Sequence, residues 1–318
     1  MVVTYGEALV DMIQMPDGRF ASALGGSVCN FTQAGARQSM PLVYLNRLSR
    51  DAFGERFVRL FDGAGVTLAN PLRSDCPTSL AIVTLDEDRS PSYAFHRQGV
   101  ADRDITPQEA CALLPEGAAL FHTGGLTLVP DELDKTLAII EAAQRRGALV
   151  SIDANMRPLA CADLPRYAAG VRGALTHADL IKVSDEDLAH LGLGGGDPRV
   201  LAKALFDDCQ ASLVALTLGA QGAVLMSRGA CVEVGTPPGL AVVDTVGCGD
   251  CFLAGLVASL SQQGLLTRAA LGSAGPEALR RAGRHAVASA SLNATREGCR
   301  PPTAAEVAAF VQENAATM

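Results

Sequence analysis

The sequence predicts an α/β fold in which a mainly parallel sheet is covered by helices on both faces. Three observations lead there. Short apolar runs bounded by turn residues alternate with segments of helical period along most of the chain. The runs are apolar at consecutive positions, as strands buried on both faces require. No linker rich in Pro, Gly or Ser divides the 318 residues, so a single unit spanning 1–318 is expected.

The elements follow in order. Val2 to Tyr5 reads as the first buried strand, and Gly25-Gly26 precedes a helical stretch from Phe31 to Gln38. Leu42 to Leu45 is the next strand. Phe57, Leu60, Phe61 and Ala64 then repeat at i, i+3, i+4 and i+7, with Gly65 where a helix C-terminus wants a glycine. From Thr78 to Arg97 the helical period vanishes. Ser79 to Leu85 and Tyr93 to Arg97 flank the polar turn Asp86-Glu87-Asp88-Arg89-Ser90-Pro91, which predicts a β-hairpin inserted in the α/β chain. Ala118 to Phe121, Ala148 to Ile152, Asp179 to Val183 and Leu213 to Leu218 are further strands, and Leu133, Leu137 and Ile140 mark a helix between two of them. Ala223 to Met226 and Ala230 to Val234 form a meander that should extend one edge of the sheet. A strand at Val242-Val243 should then feed a Gly-x-Gly loop and a helix beginning near Asp250, with Leu253, Leu256, Val257 and Leu260 on its apolar side. Gly272 to Pro276 reads as a helix-to-helix loop.

Composition narrows the function. The chain carries 26 Lys plus Arg against 34 Asp plus Glu, a formal charge of −8. That balance argues against a nucleic-acid surface, which needs clustered cations to displace phosphate counterions. The scarcity of aromatics (4%) argues against base-stacking platforms. No apolar run approaches the roughly 20 residues that span a bilayer, so no membrane partner is expected. Nine scattered cysteines, an odd number, fit reduced thiols in the cytoplasm better than a disulfide framework.

Two loops can carry chemistry. In Asp244-Thr245-Val246-Gly247-Cys248-Gly249-Asp250-Cys251-Phe252 the glycines let consecutive N–H groups point at one spot, and the helix N-terminus adds partial positive charge. The result is a cradle for charge developing on a transferred phosphoryl group. A carboxylate at its edge, Asp250, would repel an anion unless it served as proton acceptor for an incoming hydroxyl. The same residues would equally make a helix cap and a turn. Cys248 and Cys251 match C-x-x-C, but no second ligand pair stands at zinc spacing. No Walker loop or dinucleotide fingerprint is present. At the other end of the chain Gly25-Gly26 lets backbone approach a ligand, Asn30 can aim its amide at the same place, and Asp11 can accept hydrogen bonds from sugar hydroxyls. Each of these alone is also an ordinary turn or cap.

Taken together the motifs resemble the ribokinase-like (PfkB) carbohydrate kinases, closest to the bacterial fructokinases. The loop before Asp250 is similar to that family's second signature, D-T-x-G-A-G-D-x-F, and Gly25-Gly26 with Asn30 resembles its first. Gly6-Glu7-Ala8-Leu9-Val10-Asp11 resembles the opening of the fructokinase branch. Further matches are Asp153-Ala154-Asn155-Met156-Arg157-Pro158, Lys182 to Asp187, Thr217 to Gly222, and Thr295 to Gly298. The likeness runs along essentially the whole chain.

The resemblance implies a three-layer α/β/α sandwich with a small β-strand lid formed by about 11–20 and 76–104. It implies transfer of the ATP γ-phosphoryl group to a sugar hydroxyl, most readily the 6-hydroxyl of D-fructose. A 2-keto-3-deoxygluconate kinase, another sugar or nucleoside kinase, and a non-catalytic sensor on the same fold stay open. Asp250 would be the base, with the N–H groups of Gly247, Cys248 and Gly249 as the anion hole. Asp11, Gly25, Gly26, Asn30, Tyr93, Phe95, Arg97 and Arg157 would hold the sugar, Tyr93, Phe95 and Arg97 from one face of a strand. Asp153 and Asn155 would face the phosphate channel beside Arg157. Lys182, Ser184, Thr217, Gly219, Gly222 and Asn293 would meet the nucleotide, Asn293 near the adenine. Asp187 would join a Mg2+ network, although Ser184 and Asp187 stand where the family's pattern has Asn and Glu. Asp244, Val246, Asn293 and Gly298 would hold K+. A homodimer paired through lid strands is also implied. Cys248 replaces the signature's Ala, and since only its N–H is needed, activity should persist.

Overall fold

The computed structural model describes residues 1–85, 91–315 and 317. Among the described residues thirteen strands form: β1 Val2–Thr4, β2 Leu9–Gln14, β3 Phe20–Gly25, β4 Leu42–Tyr44, β5 Thr67–Leu68, β6 Ser79–Leu85, β7 Pro91–His96, β8 Leu120–Gly124, β9 Leu149–Asp153, β10 Leu180–Ser184, β11 Leu213–Thr217, β12 Ala223–Met226 and β13 Cys231–Val234. Eleven α-helices accompany them among the described residues: α1 Ser27–Arg37, α2 Ala52–Gly63, α3 Pro107–Leu113, α4 Pro130–Arg145, α5 Leu164–Leu175, α6 Asp185–His190, α7 Pro198–Asp208, α8 Cys248–Gln262, α9 Arg268–Gly272, α10 Pro276–Ala294 and α11 Ala304–Glu313.

Nine strands make one sheet in the order β13-β12-β11-β10-β9-β8-β1-β4-β5. All its pairings from β11 to β5 are parallel, and β12 and β13 add an antiparallel edge, as the meander pattern requires. Along β1, β4 and β8 to β12 both faces are buried, so these strands alternate between two cores. Val3, Phe121, Val150, Ile181 and Val214 face one side with residues of α4, α5 and α7. Val2, Leu120, Leu149, Leu180 and Leu213 face the other with residues of α1, α2, α8 and α10. The α8 helix is buried from Asp250 through Leu260, which explains its apolar composition all round.

The hairpin expected from Thr78 to Arg97 is β6 and β7; its polar turn at 86–90 lies outside the described residues. With β2 and β3 it builds a second sheet in the order β3-β2-β6-β7. This sheet differs from the expected boundaries of 11–20 and 76–104. The β3 strand continues to Gly25 and runs straight into α1, while beyond His96 the chain leaves the sheet for a buried 3-10 turn at Ala101–Arg103. The strand expected at Val242-Val243 is absent. Both side chains are exposed, and the segment is an irregular loop tied to α10 by Val243 N–H donating to the Ala294 carbonyl at 2.8 Å. A β-branched pair satisfies strand propensity, but no neighbouring strand is there to pair with it. Among the described residues no helix is long and apolar enough to cross a membrane.

Candidate active site

In an open parallel sheet, ligand chemistry collects outside the carboxyl ends of the strands. Here β8 ends at Gly124, β9 at Asp153, β10 at Ser184 and β11 at Thr217, so the residues that follow share one edge. The N-termini of α1 and α8 meet there.

Asp250, on the first turn of α8, is the focus. Its Oδ1 accepts from Ser27 Oγ and its Oδ2 from Asn30 Nδ2, both at 2.8 Å. Asn155, just past β9, donates to Ser27 Oγ at 2.6 Å, and the Ser27 amide donates to Glu7 Oε1 at 3.0 Å. Burial raises the Asp250 pKa; the hydrogen bonds from Asn30 and Ser27 and the charges of Lys182 and Arg157 pull it down. A carboxylate of raised pKa whose oxygens are aimed by two donors is suited to accept a proton.

Beside it the backbone is shaped by glycine. Gly247, the residue before α8, has φ +73°, a left-handed conformation, and a side chain there would overlap the Cys299 sulfur. Gly249 lies in the first helical turn, whose amides have no intrahelical acceptor, and a Cβ on it would sit 3.3 Å from Lys182 Nζ. The Cys248 amide departs from the expected anion-hole role: it donates to the Thr245 carbonyl at 3.1 Å, because the loop closes a turn on itself. At the head of α1, Gly26 has φ +100°, and a Cβ there would lie 2.6 Å from the Glu7 carbonyl oxygen. These two close approaches are what the glycine pairs permit.

Positive charge reaches the cradle from below. Lys182 is buried and pairs with Asp153 at 3.1 Å, with Asp187 at 4.0 Å. Burial pushes its ammonium down, but the neighbouring carboxylates outweigh burial and hold it above its ordinary value. Arg157, expected at the sugar, is exposed, donates to the Met156 carbonyl at 3.0 Å and lowers the pKa of both Asp11 and Asp250.

The second sheet contributes Asp11, Tyr93 and Phe95. Asp11 registers with Ala81, Ala81 with Phe95, and Val83 with Tyr93, so all three side chains share a face. Tyr93 and Phe95 stack with ring centroids 6.0 Å apart. Burial pushes Asp11 up to about 6, against the lowering by Arg157. Gly25, opposite Leu9, leaves the space that the Asp11 carboxylate occupies.

Arg97 departs from its expected place. It lies beyond the end of β7, buried, in an ion pair with Asp102 at 2.8 Å, and it donates to the Leu126 carbonyl at 3.1 Å. Its charge is spent neutralising a buried carboxylate rather than reaching the face of Tyr93 and Phe95. Asn293 departs too. It is wholly buried, and its amide donates to the Val246 carbonyl at 2.8 Å while its side-chain oxygen accepts from the Arg300 amide at 2.9 Å. It braces the loop before α8 and has no surface left for a base. Ser184 and Asp187 form a capping box at the start of α6. The Asp187 carboxylate accepts from the Ser184 amide and hydroxyl and from the Met156 amide, all at 2.8 Å. Every one of those bonds is structural, which leaves Asp187 poorly placed to ligate a metal directly.

Thr217 ends β11, and Gly219 (φ +54°) and Gly222 (φ +95°) bracket the turn to β12. Gly222 is required by the close passage of the Val234 carbonyl, a structural reason rather than a ligand's. Asp244, Val246, Asn293 and Gly298 do converge: Gly298 N–H donates to Asp244 Oδ2 at 2.8 Å, beside the Asn293–Val246 bond. Among the described residues no group of three or more His, Cys, Asp or Glu is placed to hold a metal ion.

Ser27 and Glu7 were not singled out as site residues in the sequence. Ser27 carried one signal, its place directly after Gly25-Gly26 at a helix start. Glu7 lies in the Gly6 to Asp11 stretch that resembles the fructokinase opening, but its role depends on the folded position of the Ser27 amide.

The pfkB family carbohydrate kinase model matches residues 1–306. The fructokinase of Rhizobium leguminosarum bv. trifolii is 32% identical over 284 residues, 88% of this chain and 86% of that protein. Among solved structures, the fructokinase of Xylella fastidiosa with bound ATP superposes with a TM-score of 0.87 at 28% identity, over 99% of both chains. The fructokinase of Vibrio cholerae O395 in its fructose, ADP and calcium ion bound form superposes with a TM-score of 0.78 at 25% identity, over 97% of this chain and 98% of that one.

Proposed function

The chain belongs to the pfkB family of carbohydrate kinases, phosphotransferases that act on a sugar hydroxyl, and on that premise we propose that it transfers the γ-phosphoryl group of ATP to the 6-hydroxyl of D-fructose. The observation that carries this reading is the aimed carboxylate of Asp250 at the head of α8, beside Gly247 and Gly249. The likeness to fructokinases with bound ATP, and with fructose and ADP, supports the choice of substrates.

In this mechanism the sugar lies between Asp250 and the face of Asp11, Tyr93 and Phe95. Asp250 takes the proton of the attacking hydroxyl while Ser27 and Asn30 keep its oxygens pointed. The Gly249 amide, the α8 N-terminus and Lys182 stabilise the charge on the phosphoryl oxygens. Phosphoryl transfer asks little else of a protein than such positioning and charge stabilisation. The small sheet acts as a lid that excludes water, within one kinase unit of residues 1–318.

Mg2+ enters with ATP. The Asp187 oxygens are engaged in backbone and hydroxyl bonds, and among the described residues no cluster of carboxylates is placed to cage the ion directly. K+ fits better: Asp244 and Val246, on the loop before α8, lie against Asn293 near the end of α10 and Gly298 just beyond it, and a monovalent ion bound between the two segments would stiffen the cradle. Ile13, Met15 and Phe20 are exposed on β2, β3 and the turn between them, which supports pairing of two lids in a homodimer. Nine free cysteines support a reducing, cytoplasmic setting.

A second reading has one observation in its favour. Arg157 is exposed, has no carboxylate partner among the described residues, and stands near Asp11, where it can meet the acid group of 2-keto-3-deoxygluconate. An ADP-release assay with magnesium–ATP and fructose, ribose, 2-keto-3-deoxygluconate and adenosine decides. Fructose is expected to give the highest kcat/KM. Turnover dominated by the keto acid would replace the first reading with the second, and no turnover with any acceptor would sink both.

A further inference from the structure

A second cationic site lies outside the kinase centre. Gln33 and Arg37, on the C-terminal half of α1, and Arg296, Arg300 and Pro301, on the segment after α10, line an open surface pocket of about 460 Å³ in which Arg37 and Arg300 are exposed. None of these side chains touches Asp250 or the cradle. Three arginines converge there in a chain whose formal charge is −8, and one acid offsets them: Arg296 pairs with Glu306 at 2.6 Å. Arg37 Nε donates to the Pro301 carbonyl at 2.6 Å, leaving the rest of its guanidinium unengaged. Among the described residues the Arg300 guanidinium has no protein partner, and no carboxylate pairs with Arg37 or Arg300.

We propose that this pocket binds the phosphate group of a small metabolite and that its occupation is coupled to the nucleotide site. Arginine forks match phosphate oxygens two at a time. The volume falls within the range of small-ligand pockets, roughly 300–1,000 Å³, which leaves room for the body of a phosphate ester beside the Gln33 amide; free phosphate is the smaller occupant with the same chemistry. The coupling runs through a shared wall. The chain that carries Arg296 and Arg300 also donates Gly298 N–H to Asp244, packs Cys299 against Gly247, and fixes Asn293 through the Arg300 amide. A ligand that holds the Arg300 side chain therefore holds the backbone bracing the cradle.

The test is calorimetric titration of glucose 6-phosphate, inorganic phosphate and glucose into protein saturated with fructose and a non-hydrolysable ATP analogue. One equivalent of a phosphate-bearing probe is expected to bind and glucose is not. The Arg37→Ala/Arg300→Ala double variant should bind that probe at least tenfold more weakly, and Arg300→Glu should do the same if the double variant is poorly folded by thermal melting. Tighter binding of the ester names an ester as occupant, and equal or tighter binding of inorganic phosphate names the free ion. No binding by either, or binding unaltered in Arg300→Glu, overturns the site. Occupation should also change the affinity for the ATP analogue in the wild type and leave it unchanged in the double variant. An unchanged affinity in the wild type overturns the coupling.

Discussion

Asn30 Nδ2 lies 2.8 Å from Asp250 Oδ2, although 220 positions separate the two residues. The contact joins the first turns of α1 and α8 and, with Ser27 on Oδ1, leaves the carboxylate no freedom to turn away. A base held in this way has its orientation settled before substrate arrives.

Asp250→Asn should lower kcat by about 10²–10⁴, the usual worth of a positioned general base, while ATP binding and thermal stability stay close to wild type. The amide keeps the shape and can still accept one of the two hydrogen bonds. Single-turnover ADP release and equilibrium ATP binding check the two halves. Full activity in the variant would remove Asp250 from the mechanism.

The pH profile should carry the mark of burial. Asp250 must be ionised to take a proton, and burial raises its pKa. The inactive protonated form therefore persists to higher pH than for an ordinary aspartate, and kcat/KM falls as pH drops through that raised value. Asn30 stabilises the ionised form, so Asn30→Ala should move this acidic limb to higher pH. A limb that stays put, or moves down, contradicts the assignment.

Gly247→Ala should reduce kcat severely. The residue has φ +73°, and a methyl group there meets Cys299. Adding Cys299→Ala relieves the overlap but not the left-handed backbone, so the double variant should recover only part of the loss. Complete rescue would mean that space alone, not conformation, requires this glycine.

Arg97→Met should act on stability rather than on sugar binding. It strands the buried Asp102 carboxylate, and breaking a buried pair costs about 3–5 kcal/mol. Denaturant unfolding should show this loss, with the KM for sugar little changed. A KM increase at unchanged stability would return Arg97 to the sugar site.

Cys248→Ala should leave kcat and both KM values close to wild type. The thiol points at the Ala290 carbonyl, 3.6 Å away, and burial raises its pKa, so it should also alkylate slowly at neutral pH. Rapid inactivation by iodoacetamide, protected by ATP and absent in the variant, would contradict this.

Much of this molecule is written locally. The runs at Val2, Leu120, Leu149, Leu180 and Leu213 are strands because their residues are apolar on both parities, and that information lies within each run. The Gly247 and Gly26 turns were legible for the same reason, since a backbone shape that only glycine tolerates marks itself in the chain. Tertiary structure decided what local pattern cannot encode, namely which partner each polar group finds. Arg97 looked like the third member of a strand face and instead neutralises Asp102. Asn293 looked available to a ligand and is sealed against Val246. Val242 and Val243 had strand character but no adjacent strand. Ser27 became a support of Asp250 because two helix termini, 223 positions apart at those residues, meet over one sheet edge. The sequence by itself determined the layers and the glycine-shaped turns, because burial and backbone sterics act over a few residues. The hydrogen-bond partners that aim Asp250 were decided only by the fold, because they are satisfied across the whole length of the chain.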